Sequence, residues 1–450
     1  MGRSADYALS VLKPPTAYRP AFYRGLTALL PRLWARGTLP YPDLQPETVI
    51  AQARRAARTD DFGPEQDWRP ALERFLASCR NEAGLNVIGR TISHGQAIKV
   101  LAERARTFAR LRERPDLAER RLAPPLVIVG PMRSGTTRLQ RMLALHPGLV
   151  HLRLYEAANP VPPRGRFDVR PATTSAMLAA ARAINSAILA IHPMRARWPD
   201  EELGLLEASF WGAQLEAQRP ISSYARWCES ADARPAYGHL ARLLRLVGGA
   251  RGDDPARPWL LKTPQHMANL PTLFETFPGA RVILTDRDPV RVVASSASLA
   301  WNNMVMQTDT LDPAWIGREW LHKTAHRNAA VKAYRAKPHA PEMLDIGFEE
   351  AGADPLGAMA RALDFARLRF NSEVRDAATR WLAREAARPR HNAHRYCLED
   401  FGLDAATVAA KFPPRPNVSP PKRARVLVAE VAPTTAYRGT DGARGGTRRS

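Results

Sequence analysis

Eight consecutive residues, Gly130-Pro131-Met132-Arg133-Ser134-Gly135-Thr136-Thr137, carry the strongest chemical signal in this sequence. They follow a short apolar run, Leu126-Val127-Ile128-Val129, and precede a helix-forming stretch. A small glycine-bearing turn lets backbone N–H groups converge on a phosphate, and a helix start adds a favourable dipole. A Walker A loop would end in Gly-Lys-Ser/Thr. Here the end is Ser-Gly-Thr-Thr, and the cation comes earlier, at Arg133. The pattern predicts an anion-binding turn, against the plainer alternative of an ordinary strand-to-helix connection.

Two more clusters carry chemistry. Arg287-Asp288-Pro289-Val290-Arg291-Val292-Val293-Ala294-Ser295 follows an apolar run, where open α/β sheets bind ligands at strand C-terminal ends. Arg287 offers a planar fork suited to phosphate, and Ser295 lies about two helical turns further on. The alternative is a surface Arg and a helix-packing Ser. Lys262-Thr263-Pro264-Gln265-His266 ends another apolar run and places an ammonium at the same sheet edge, where it can stabilise charge on a leaving oxygen. His266 is either a general base, since imidazole titrates near neutrality, or a helix-start residue.

These residues need a scaffold. The continuous apolar run 126–129 reads as a strand buried on both faces, and 149–154, 259–262, 281–285 and 343–348 read as further strands. Helical patterns at 137–146, 266–276 and 290–299 alternate with them and predict a doubly wound α/β domain with a parallel sheet. Apolar spacing of three and four residues at 47–58, 68–83 and 94–114 makes residues 1–120 a helical lead-in to a core at 121–350. The long helical insertion at 172–250 is expected to cap the ligand crevice, and 351–412 to be helical again. From residue 413 the chain is rich in Pro, Gly, Arg and Thr, the composition of a disordered basic tail.

Composition narrows the function classes. The chain has 450 residues, 45% of them hydrophobic, enough for a sizeable core. Cys79, Cys228 and Cys397 are too few and too scattered for a disulfide framework or a zinc site, so a reducing cytoplasm is the expected compartment. Residues 1–20 lack the apolar core of a signal peptide. No run of about 18 apolar residues occurs; the nearest, 172–192, is interrupted by Arg182 and Asn185 and reads as an amphipathic helix. A net charge of +22 invites a nucleic-acid reading, but no basic stripe interleaved with aromatics accompanies it. The positive potential favours small anionic ligands instead.

Arg133-Ser134-Gly135-Thr136-Thr137 after a buried strand resembles the 5′-phosphosulfate loop of the sulfotransferases, with the looser similarity running over about residues 45–412. The resemblance implies a P-loop-like fold and 3′-phosphoadenosine 5′-phosphosulfate (PAPS) as sulfuryl donor, with no metal. It assigns the phosphosulfate to Arg133, Ser134, Gly135, Thr136 and Thr137, the 3′-phosphate to Arg287 and Ser295, and the leaving group to Lys262. Glu156, after the second strand, falls where family members related to the tyrosylprotein enzymes hold the base that deprotonates a hydroxyl acceptor. Arg395 and Tyr396 sit in a segment similar to the family's C-terminal one and could close over the nucleotide. Asp286 departs from related sequences, which commonly carry His there. Trp198-Pro199-Asp200-Glu201-Glu202 also matches, but acidic residues opening a helix read as dipole complements. An ATP-dependent kinase or NTPase on the same fold, and a non-catalytic nucleotide binder, are the rival readings. The acceptor class and oligomeric state are not legible.

Overall fold

The computed structural model describes residues 21–165, 167–185, 193–387 and 396–412. Five strands, β1 (Leu126–Val129), β2 (Val150–His151), β3 (Trp259–Lys262), β4 (Arg281–Asp286) and β5 (Met343–Gly347), form one sheet in the order β2-β3-β1-β4-β5. All pairings are parallel, with Leu126 opposite both Leu260 and Arg281. The chain leaves β1 toward one edge and, after β3, crosses β1 to the other. The C-terminal end of β1 therefore lies at the topological switch point, where doubly wound sheets bind ligands.

Alternation along β1 explains the layering. Val127 and Val129 join one core cluster with Leu261, Val282, Tyr237, Leu240 and Leu244. Leu126 and Ile128 point the other way, into a cluster with Leu260, Ile283, Leu139, Leu143, Met359 and Leu363. Successive strand side chains face opposite sides, so a strand covered on both faces must be apolar throughout. Each such aliphatic side chain contributes about 1.5–3 kcal/mol relative to exposure.

The insertion after β2 divides into several helices. Its last, Arg234–Arg251, places Tyr237, Leu240, Leu244 and Val247 against the sheet and is the crossover to β3, not a cap. Leu215 and Tyr224, from the shorter helices before it, share a separate core with Trp68, Leu72, Phe75 and Leu101 of the N-terminal helices.

Boundaries shift where local chemistry overrides periodicity. The helix expected at 94–114 runs Val87–Glu113, because the Asn86 side chain accepts from Gly89 N at 2.9 Å and caps it seven residues earlier. The helix expected at 266–276 splits into a 3₁₀ turn, Pro264–Ala268, and a helix, Leu270–Thr276, whose first turn holds Pro271. A 23-residue helix, Pro313–Arg335, was not legible: its buried face includes Glu319, Lys323, Thr324 and Arg327, which blur the apolar stripe. Arg395, residues 1–20, part of 172–192 and the basic stretch 413–450 lie outside the described residues. No described helix is long and apolar enough to cross a membrane.

Candidate active site

The loop after β1 is shaped by two residues in left-handed conformation, Arg133 (φ 69°) and Gly135 (φ 84°). A turn of alternating backbone handedness at the start of the helix Thr136–Leu143 is a form that can cradle an anion, with the Ser134 N–H itself spent on Pro131 O at 3.2 Å. For Arg133 this conformation costs of order 1–3 kcal/mol, a strain that clusters at functional sites. A Cβ on Gly130 would stand 2.0 Å from Thr285 Oγ1, so only glycine lets the loop root pass β4. Ser134 fastens the same joint: its hydroxyl meets Pro131 O at 2.7 Å and Thr285 Oγ1 at 2.6 Å.

The two anion-binding signals converge. Arg133 Nε donates to Ser295 Oγ at 3.1 Å, and Arg287 Nη1 donates to Arg133 O at 2.8 Å. Residues more than 150 positions apart in the chain thus form one cationic cluster at the ends of β1 and β4. Phe348, just after β5, stacks on the Arg287 guanidinium at 4.0 Å and would meet a Cβ on Gly135 at 3.1 Å. Burial, with the neighbouring charges of Arg133 and Arg291, holds Arg287 below the ordinary guanidinium value, while Tyr396 and Glu349 act in the opposite sense. Tyr396 is therefore close to the cluster. A small, shallow cleft opens beside the loop, lined by Pro131, Met132, Met267, Ser296, Trp320, Thr324 and Arg327.

Lys262 ends β3 almost fully buried. Its Nζ donates to Thr137 Oγ1 at 3.2 Å and forms an ion pair with Glu201. Its backbone N–H donates to Glu202 Oε2 at 2.9 Å, and Glu202 Oε1 meets His266 Nε2 at 2.6 Å. Tyr237 Oη lies 2.7 Å from His266 Nδ1. The acidic triplet is thus no dipole complement. Glu202 precedes the helix Leu203–Glu207, and both glutamates reach about 60 residues along the chain to clamp the end of β3. Burial, reinforced by the Glu201 charge, pushes the Asp200 carboxyl up to about 6.

Both bases expected from the sequence are engaged elsewhere. Glu156 has no solvent exposure. Its Oε2 accepts from Arg153 N at 2.9 Å and from Arg251 Nη1 at 3.0 Å, and its Oε1 accepts from Tyr155 Oη at 3.1 Å. It closes the helix Leu154–Ala158 and ties it to Arg251; in this state neither oxygen is offered to an acceptor. His266 is equally enclosed, with both ring nitrogens spent on Glu202 and Tyr237.

Sequence reasoning missed Thr285, Phe348 and Tyr237 and misread Glu201 and Glu202. No local spacing announces these residues, because every one of their contacts is between distant segments. Glu229, His322 and His326 bring potential ligand atoms within 4.8 Å of one another. The two histidines lie on the helix face opposite Trp320, Thr324 and Arg327, and Arg226 already pairs with Glu229. The three cysteines are free thiols, and burial pushes Cys79 up to about 11 and Cys228 to about 12.

Comparison with known proteins agrees with this geometry. A comparison with curated protein sequences gives no match. Among solved structures, the sulfotransferase STF1 from Mycobacterium tuberculosis H37Rv superposes with a TM-score of 0.72 at 28% identity, covering 82% of this chain and 98% of that one. The sulfotransferase STF9 from Mycobacterium avium shares the fold with a TM-score of 0.72 at 23% identity, covering 82% of this chain and 95% of its own. The model of the sulfotransferase family matches residues 124–372, just over half the chain and the whole span from the loop through β5. The chain belongs to the sulfotransferase family.

Proposed function

We propose that this protein transfers a sulfuryl group from PAPS to a hydroxyl acceptor by in-line displacement. The observation that carries the reading is the convergence of Arg133, Arg287 and Ser295 in one hydrogen-bonded cluster. Two anionic ends of a single nucleotide need donors at two nearby points, and these residues supply them. The residues fit the donor: the loop N–H groups and Arg133 suit the phosphosulfate arm, with Gly135, Thr136 and Thr137 forming the helix start beneath it. Ser134 supports this arm through the loop, because its hydroxyl braces Pro131 and Thr285.

Arg287 and Ser295 hold the 3′-phosphate, a group that ATP lacks. The Phe348 ring keeps Arg287 in place from one side, and Tyr396 approaches it from the C-terminal segment. Lys262, already bonded to Thr137, stands where an ammonium can neutralise charge on the leaving phosphate oxygen. Positioning and electrostatics of this kind supply most of the rate in group transfers of phosphoryl type. Free thiols suit a reducing compartment, and we place the enzyme in the cytoplasm.

The test is thermal unfolding with adenosine 3′,5′-bisphosphate (PAP) and with 5′-AMP. Ligand binding to the folded state raises the midpoint by mass action. PAP should stabilise the protein strongly and 5′-AMP weakly; equal shifts, or none from PAP, would remove PAPS from the reading.

A further inference from the structure

We infer that Glu201 is the base that takes the acceptor's proton, and that Lys262 holds it in reserve until the donor arrives. The inference rests on the PAPS reading above. Glu156 has both oxygens tied to Arg153, Tyr155 and Arg251, and Glu202 has both tied to Lys262 N and His266. Asp200 spends Oδ1 on the Glu201 backbone N–H at 2.7 Å. Glu201 differs. Its Oε1 pairs with the Lys262 ammonium, while its Oε2 is buried and makes no hydrogen bond among the described residues. An acceptor atom of a carboxylate, buried and unused, is costly unless a ligand group completes it.

Its position suits the task. Lys262 Nζ bridges Glu201 and Thr137 Oγ1, so the carboxylate stands one ammonium away from the first turn of the phosphosulfate helix. The donor brings negative charge to that turn and draws the ammonium toward its bridging oxygen. A carboxylate that gives up its cation partner beside a polyanion becomes a better proton acceptor. The base is thereby released only when there is a sulfuryl group to transfer.

The step balances as follows. The acceptor oxygen forms a bond to sulfur as the bond from sulfur to the bridging 5′-phosphate oxygen breaks. The hydroxyl proton passes to Glu201, and Lys262 faces the oxygen that leaves. The products are a sulfate ester and PAP, and Glu201 returns its proton to solvent.

PAP release from PAPS is measured with phenol, with 4-nitrophenol and with water alone as acceptors, beside calorimetric PAP binding. Glu201→Gln should bind PAP within about threefold of wild type yet turn over phenol about 10²–10⁴-fold more slowly, the usual worth of a positioned base. At pH 8, 4-nitrophenol is largely ionised and needs no base, so its loss should be at least about tenfold smaller. Glu201→Asp should recover part of the rate. Equal losses on both phenols, turnover within threefold of wild type, or a change confined to PAP affinity would overturn the assignment, the last being what a mere counter-charge for Lys262 would give. A wild type that binds PAP but releases none from PAPS with any of the three acceptors also counts against it. Failure of wild type to bind PAP strikes the donor reading instead.

Discussion

Two buried lysines in this molecule meet carboxylates in different ways. Lys323, on the helix Pro313–Arg335, donates to Glu216 Oε2 at 2.6 Å, and Arg327 takes Glu216 Oε1 at 2.6 Å. Glu319 lies 2.9 Å from the same ammonium and is paired in turn with Arg226. Burial would raise the Glu216 carboxyl, but Lys323 and Arg327 outweigh it and hold it below the ordinary range. Both oxygens of Glu216 are satisfied. Glu319 Oε1 makes no hydrogen bond but stands 2.9 Å from the Lys323 ammonium, and its Oε2 pairs with Arg226. The cluster is closed in the sense that each of these carboxylate oxygens faces a cation. Lys262, at the C-terminal end of β3, has one carboxylate partner, the Thr137 hydroxyl of the helix after β1, and a Glu201 oxygen left over. A closed cluster joins helices; an unfinished one can accept a ligand. Burial of a charged pair does not by itself mark a site, and incomplete satisfaction next to the turn at 130–137 is the more informative sign.

The largest effect that separates the two is catalytic. Lys262→Met should lower sulfuryl transfer by about 10²–10³-fold, the scale for removing a preorganised charge at a reacting oxygen. PAP calorimetry on the same variant would show whether binding survives, as expected if Arg133, Arg287 and Ser295 carry most of the affinity. In the closed cluster, Lys323→Met should instead cost stability, about 3–5 kcal/mol for breaking a buried pair, read from urea midpoints, with turnover per folded molecule unchanged. Acid should find the same cluster. Because the folded-state Glu216 carboxyl is held low, its stabilisation is present above the ordinary carboxylate range and is lost as pH falls through the folded value. Loss of turnover in Lys323→Met at full folding would dissolve the distinction.

Ser295→Ala offers a smaller and more selective effect. Losing a hydrogen bond to a charged group should weaken PAP by about 10- to 100-fold, about 1.5–3 kcal/mol, and leave 5′-AMP nearly untouched. Smallest is the effect of Asp200. Its folded-state carboxyl titrates at about 6, above the ordinary aspartate value of 3.8, so folding favours its protonated form. Stability should therefore decline as pH rises from about 4 to about 6 and level off above. Asp200→Asn should remove that slope, a change of about 1–2 kcal/mol for a half-buried group, measured as unfolding midpoints across the range.

What was legible in the sequence divides along the same line. β1, β3, β4 and the loop between β1 and its helix announce themselves locally, because a strand buried on both faces must be apolar throughout and the turn needs Gly130 and Gly135. Arg133, Arg287 and Ser295 were visible as separate signals, and the sheet order brings them together. Glu201 and Glu202 were visible but misread: a run of acids before a helix looks the same whether it serves the helix dipole or a lysine about 60 residues away. Glu156 shows the opposite case. Its position after β2 fitted a base, but nothing in its neighbours foretold that Arg251, 95 residues on, would occupy it. The helix Pro313–Arg335 hid because Glu319, Lys323 and Arg327 of the charge cluster sit on its buried face among Ile316, Trp320 and Leu321.

The most direct measurement of the central claim is calorimetry of PAP and 5′-AMP on the wild type and on Arg287→Ala. If one nucleotide spans the loop and the Arg287–Ser295 pair, wild type should prefer PAP by at least about a hundredfold, the worth of a charge-assisted phosphate contact, and Arg287→Ala should erase most of that preference. A wild type that binds the two nucleotides alike, or a variant that keeps the full preference, would contradict it.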